Sequence, residues 1–470
     1  MIFNSLEFII FTFIILFLLF VIRHNRSRKS VLLLASAYFY AYWDWRFLTL
    51  ILAQGLSGYV TGRMLGTNKH QLSKKAILAV CLVLNLGLLG CFKYVNFFIE
   101  VFSVALMEIG LDVGTLNLIL PLGISFYTFS VMSYVIDVYR GHLKACRDIG
   151  DFLLFVLYFP KLVAGPIVRA GDFLPQLNAV PVQSKERVFQ GVRQFVIGLA
   201  KKMFVADRLA AFADTVFINA DLLNAPTVWL GVVAFTVQIY CDFSGYSDMA
   251  IGLSRVIGYD LNENFRIPYL SSSITEFWRR WHISLSLWFR DYVYIPLGGN
   301  RHGSLHTYVN LMATMLLCGL WHGAAWTFVA WGGMHGVALV VERMIRGEQK
   351  SMASTLQNKN EVGFRFLQWT STLFFIIIAW VFFKASSFSQ AGTVIRALFR
   401  LDNGFGWYPP LAIFLISTVA ILHGVYLTRF QSVMILEKNN FFSMTTLFLI
   451  FYLCLVFVPT EFEPFIYSQF

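Results

Sequence analysis

Two histidines stand where acid–base chemistry could be done. His322 lies in Leu320-Trp321-His322-Gly323, inside a stretch from Leu311 to Val341 that contains no Asp, Glu, Lys or Arg. Ionisable groups at membrane depth are expensive to desolvate, and they line cavities or carry function. Trp321 offers a broad aromatic wall, and Gly323 permits close backbone approach. The alternative is a structural histidine bonded to a neighbouring carbonyl. His282 lies in Thr275-Glu276-Phe277-Trp278-Arg279-Arg280-Trp281-His282-Ile283-Ser284. On a continuous helix Trp278, His282, Leu285 and Phe289 share one face. Phe277, Trp281 and Trp288 widen the apolar side, whereas Arg279, Arg280, Ser286 and Arg290 project elsewhere. Pro296, Gly298 and Gly299 then end the helix. The pattern predicts an amphipathic helix at the inner interface or dipping into a bundle, not a spanning one. Its arginines either snorkel to the surface or attract an anionic substrate, with His282 facing the same cavity as His322.

Other polar groups lie near these in type but not in spacing. Asp242 and Asp248 fall within the apolar run Trp229 to Ile257. Six residues apart, they do not share a helical face unless Gly245 breaks the helix. Each needs a partner at that depth. An arginine of the 279–290 helix would make them structural or tunnel-lining; a direct catalytic role is the other reading. His335 follows His322 by 13 residues, about 220° round one unbroken helix. That opposes a metal-binding pair and makes His335 a packing residue, unless Gly332 and Gly333 break the helix. His302 and His306 have i, i+4 spacing without a carboxylate or cysteine close in sequence, so no metal is expected there. The six cysteines form no CxxC pair, against a zinc site or disulfide framework. No P-loop, GxSxG elbow or HExxH is present.

The elements that hold these residues must sit in a membrane. Hydrophobic residues make up 57% of the 470-residue chain and charged residues only 13%, where a soluble protein carries about a quarter. Several runs reach the ~20 apolar residues that cross a bilayer. Ile2 to Ile22 is the first, followed by Arg23, Arg26, Arg28 and Lys29 without a small-residue cleavage site, as for a retained helix. The net charge of +11 is loop charge under the positive-inside bias. It gathers at Arg23 to Lys29, Lys69 to Lys75, Arg140 to Arg147 and Arg343 to Lys350, with no basic–aromatic repeat suited to nucleic acid.

Cytoplasmic placement of these clusters threads the chain. The N-terminus is outside, and Trp43-Asp44-Trp45 turns at the outer interface. Phe47 to Leu65, Ala76 to Tyr94 and Leu118 to Ile136 alternate. Phe152 to Val168, interrupted by Pro160, Lys161, Gly165 and Pro166, reads as a broken or re-entrant segment. Phe195 to Phe217 and Trp229 to Ile257 are further helices. Phe366 to Phe383, Leu411 to Leu427 and Phe441 to Val458 leave the C-terminus outside. Arg396 and Arg400 then lie outside, against the rule, on an interfacial helix Ala391 to Phe399. The fold class is all-α: a polytopic membrane protein of roughly 11–13 helices and re-entrant segments. It forms one domain over 1–470, with N-terminal helices to 115, a core over about 116–345 and C-terminal helices over 346–470.

Together, Trp278-Arg279-Arg280-Trp281-His282-Ile283-Ser284 and, 40 residues later, Trp321-His322-Gly323 resemble the membrane-bound O-acyltransferase family. The branch that acetylates alginate and other bacterial exopolysaccharides is most similar. Pro121-Leu122-Gly123-Ile124-Ser125-Phe126-Tyr127, Ala164-Gly165-Pro166, Asp242 to Asp248, Arg290-Asp291-Tyr292 and Pro296-Leu297-Gly298-Gly299-Asn300 carry the same resemblance. So does Tyr467-Ser468-Gln469-Phe470, although Phe is more usual at Ser468. The resemblance implies a bundle around a central tunnel, His322 as catalytic histidine and His282 as its partner. It implies an acyl thioester donor, acetyl-coenzyme A for this branch, and no permanently bound cofactor. Arg279, Arg280 and Arg290 are candidates for its phosphates, and Trp278, Trp281, Trp321 and Asn300 for other donor contacts.

A histidine near neutrality can take a hydroxyl proton as the oxygen attacks a thioester, and His282 could then hydrogen-bond the developing oxyanion, or orient His322 or the thioester. The sequence shows no sizeable extracytoplasmic domain, which favours a relay. This chain would carry acetyl across the bacterial inner membrane, and a periplasmic acetyltransferase or acetyl-accepting protein in a polysaccharide secretion complex would esterify the sugar. Tyr467, Gln469 and Phe470 are the docking candidates. Cellulose or peptidoglycan as acceptor is an alternative. A transporter or a non-enzymatic scaffold is the alternative of another class, and the transporter is disfavoured because no duplicated half is visible.

Overall fold

The computed structural model of this chain is built from helices. Among the described residues the only β pairing is an isolated bridge between Leu223 and Phe405. The structure describes all residues except 1–2, 4, 68–69, 109–113, 164, 182, 353–360, 402–403, 427–438, 458–464 and 467–470. Tyr467, Gln469 and Phe470 therefore lie outside the described residues. Among the described residues, four helices are long and apolar enough to cross a membrane: 73–103, 225–257, 326–345 and 363–384. Shorter apolar helices run over Leu6–Val21, Pro410–Val425 and Phe441–Val456. The chain is an all-helical membrane protein, as its composition requires.

Two compact units can be distinguished, Met1–Leu199 with Tyr246–Asn262, and Ala200–Gly245 with Glu263–Phe470. In the first, the helix Asn25–Thr67 kinks at Asp44, whose φ of −158° and ψ of 111° leave the helical region. Arg46 pairs with the Asp44 carboxylate at 2.6 Å beside that kink, which falls within the Trp43-Asp44-Trp45 segment expected to turn. The expected broken segment is present too. Helix Ile149–Leu157 stops at Tyr158 (ψ 105°), and Phe159–Leu162, with Pro160, forms a single buried turn. The backbone N–H of Phe159, released by the break, donates to Ser36 Oγ at 3.1 Å. That is the internal satisfaction that irregular backbone needs at membrane depth.

The second unit holds both histidines of interest. Helices Gly303–His322 and Trp326–Met352 pack against each other, and Glu361–Lys384 packs on the latter. Their crossing needs glycine. A Cβ at Gly319 would strike the Phe328 carbonyl oxygen, and one at Gly332 would strike the Met315 carbonyl oxygen and lie 3.0 Å from Gly319 Cα. The charge-free stretch around His322 is thus two helices joined at Gly323–Ala325, not one continuous rod. This corrects the angular argument for His335, whose premise was an unbroken helix.

The segment after Ser273 also departs from expectation. The sequence pattern predicts one amphipathic helix through His282. The structure instead forms Ile274–Arg280 and Ile283–Phe289, broken at Trp281-His282. His282 has φ 41° and ψ 54°, one of two described non-glycine residues at positive φ. Such a conformation is costly unless its surroundings over-determine it, and it concentrates at functional sites. The first half starts as a capping box. Ser273 Oγ accepts from the Glu276 N–H, and the Glu276 carboxylate accepts from the Ser272 N–H and hydroxyl.

Candidate active site

Asn264 sets the state of His282. Ile283 N–H donates to the Asn264 carbonyl oxygen at 2.9 Å, pinning the two segments together. The Asn264 side chain then faces both Ser284 and His282. Ser284 N–H lies 3.2 Å and Ser284 Oγ 2.9 Å from Asn264 Oδ1. A backbone N–H can only donate, so the amide atom facing it is the oxygen. His282 Nδ1, 3.1 Å from the same oxygen, must therefore carry the proton. His282 and Asn264 are fully buried. Desolvation disfavours the imidazolium and draws the His282 pKa down to about 3. His282 is a neutral Nδ1–H imidazole whose Nε2 is an acceptor.

His322, at the C-terminal end of its helix, is also buried, with a ring centroid 6.4 Å from that of His282. Aromatic rings enclose the pair. Trp321 and Trp331 each lie 5.0 Å from His322, with Phe383 at 5.4 Å. Phe243 lies 4.6 Å from His282. Gly323 is buried, and a Cβ there would overlap the Phe328 ring. His335 is brought back to this cluster by the helix break, 4.9 Å from Trp331. Its Nδ1 is 3.3 Å from Trp278 Nε1. Nothing in the local sequence marks Asn264, Trp331 or Phe383 as members of the site; only the crossing of the helices assembles them.

The polar candidates divide. Trp278 and Trp281 are buried in the aromatic cluster, with Trp281 stacked 5.6 Å from Phe277. Arg279 is exposed, Arg280 pairs with Glu276, and Arg290, also exposed, pairs with Asp291 at 2.6 Å. Burial raises the Glu276 pKa, but hydrogen bonds from Ser272 and the Arg280 charge outweigh it and hold the carboxyl below its ordinary value. The Asp291 carboxylate beside Arg290 raises the guanidinium pKa. Asn300 is exposed at the end of the glycine turn, beside Gly299, whose carbonyl accepts from Asn310. His302 and His306 adjoin, 6.2 Å between centroids, and among the described residues no cluster of three metal-ligating side chains occurs.

The expected arginine partner for Asp242 is corrected. Lys202 Nζ lies 2.7 Å from Asp242 Oδ1 and 2.7 Å from Asp207 Oδ1, with the Lys202 and Asp242 side chains each 2% exposed. The lysine comes from a π-helical turn, Lys201–Ala206, that interrupts the expected helix Phe195–Phe217. Ile466 N–H donates to Asp242 Oδ2 at 2.9 Å. Asp248 accepts from Gln194 Nε2 at 3.0 Å.

The membrane-bound O-acyltransferase family model matches residues 147–388, which include both histidines and the segments that position them. A probable alginate O-acetylase AlgI of Azotobacter vinelandii is 43% identical over 86% of this chain and 79% of its own length. The chain belongs to the membrane-bound O-acyltransferase family. Among its relatives in that family, the probable alginate O-acetylase AlgI of Pseudomonas aeruginosa is 42% identical over 86% of this chain and 76% of its own. A peptidoglycan O-acetyltransferase of Helicobacter pylori is 36% identical over 80% and 74%. This membrane-bound O-acyltransferase is therefore an enzyme of acyl transfer.

Proposed function

We propose that this enzyme takes acetyl from cytosolic acetyl-coenzyme A and passes it across the bacterial inner membrane for O-acetylation of an exopolysaccharide such as alginate. A periplasmic acetyltransferase or acetyl-accepting protein completes the transfer, and both termini face the periplasm. The observation that carries the chemistry is the buried pair His282–His322, 6.4 Å apart, with the His282 tautomer fixed by Asn264. His322 is the general base that removes the acceptor hydroxyl proton, a contribution of about 10²–10⁴-fold. His282 offers its Nε2 lone pair to orient His322 or the hydroxyl. As a neutral Nδ1–H imidazole it does not donate to the developing oxyanion. Trp278, Trp281 and Trp321 wall the acyl group. Arg279, Arg280, Arg290 and Asn300 are the donor contacts toward the cytosol, and Asp242 and Asp248 are structural.

The acceptor follows the relatives named for alginate. Peptidoglycan is the second reading, supported by the Helicobacter pylori relative. Replacing the chromosomal copy with His322→Ala and measuring ester-linked acetyl in secreted polymer and in cell wall tests both. Loss from the secreted polymer at normal protein level is the expected result. Loss only from the wall selects the second reading, and unchanged acetylation in both removes His322 from the chemistry.

A further inference from the structure

A neutral His282 with its proton on Nδ1 does not serve as the oxyanion donor, and the aromatic cluster around His322 supplies candidates. Trp331 is fully buried, its ring perpendicular to that of His322 at 5.0 Å. Among the described residues its indole Nε1 has no hydrogen-bond acceptor. His335 is fully buried beside it. The Trp278 indole can only donate, so the His335 Nδ1 that it meets must accept. Neutral His335 therefore carries its proton on Nε2, which also lacks an acceptor among the described residues. Buried donors are rarely left unsatisfied in native proteins. Among the orphaned N–H groups of this cluster, these two lie on adjoining side chains, and one of them, Trp331, packs against the proposed base. Each calls for an acceptor that the described residues do not supply.

We propose that the Trp331 indole N–H and the His335 Nε2–H form the oxyanion hole of this acyltransferase, a role that rests on His322 acting as the base. The acceptor hydroxyl oxygen attacks the thioester carbon as its proton passes to His322. A C–O bond forms, and the carbonyl π pair moves onto the oxygen, which the two N–H groups hold. Collapse restores the carbonyl and breaks the C–S bond, and the departing thiolate takes the proton back from the imidazolium. Donors of this kind act where charge develops rather than on the ground state.

The test is Trp331→Phe in the full-length protein, purified into lipid nanodiscs and assayed with acetyl-coenzyme A and an acceptor hydroxyl. The substitution keeps an aromatic ring and deletes the donor. Loss of about 10²–10³-fold in kcat with little change in KM is expected. Replacement of Trp331 by 3-benzothienylalanine, which puts sulfur in place of N–H in the same outline, decides the matter if the Phe variant does not fold. Wild-type kcat in either folded variant, with His322→Ala inactive, overturns the oxyanion hole and leaves the base in place. Full activity in His322→Ala removes both. A parallel rise in KM with fall in kcat and melting temperature marks a packing role and also overturns the assignment.

Discussion

His282 sits at a positive φ between two short helices, and Asn264 Oδ1 holds its Nδ1 proton there. That contact fixes which chemistry each imidazole nitrogen can do. Asn264→Asp puts a carboxylate against the same nitrogen and stabilises the imidazolium. An adjacent opposite charge shifts a pKa by ~1–3 units, upward for a base. His282 is then protonated at higher pH and loses its Nε2 acceptor, so kcat at the acidic end of the pH–kcat profile should fall below that of the wild type. A profile that overlays the wild type removes His282 from the reaction. The two histidines were legible in the sequence because charge-free, tryptophan-rich surroundings are unusual for imidazole. Asn264 was not, because an asparagine among loop residues has no distinguishing pattern until Ile283 and Ser284 fold onto it.

Elements bring the residues together by close approach. The helices Gly303–His322 and Trp326–Met352 touch through Gly319 and Gly332, with no room for a side chain at either. Gly332→Val forces the Met315 backbone away and separates Trp331 from His322. Overpacking of this kind costs about 1–3 kcal/mol. Turnover and melting temperature should both fall. Gly333→Ala, one residue along, provides the control: its Cβ would meet only Leu316 Cδ2 at 3.4 Å, and both quantities should stay near wild type. Equal effects of the two substitutions contradict the crossing as the positioning device. Most helices were readable from apolar runs of sufficient length. The breaks at His282 and Gly323 were not, because the helical period continues through both and only tertiary contacts interrupt it.

Across the molecule, the membrane setting makes each buried charge consequential. Lys202 is held between Asp207 and Asp242, and Asp242 also receives the Ile466 N–H. The carboxylates were legible as needing partners, but the lysine was hidden because the π-helical turn that delivers it has no sequence period. Asp242→Ala leaves a buried ammonium short of one counter-charge, a loss of roughly 3–5 kcal/mol. Thermal unfolding in detergent should shift down accordingly; an unchanged transition means the pair does not support this unit. Acyltransferase membership follows from the family match and the relatives, while donor, acceptor and partner belong to the proposal that His322 works as a base on a thioester. The most direct measurement is transfer of radiolabelled acetyl from acetyl-coenzyme A by purified wild-type and His322→Gln protein, each shown folded by its melting temperature. Loss of about 10²-fold or more in the variant is predicted; transfer at the wild-type rate contradicts the account.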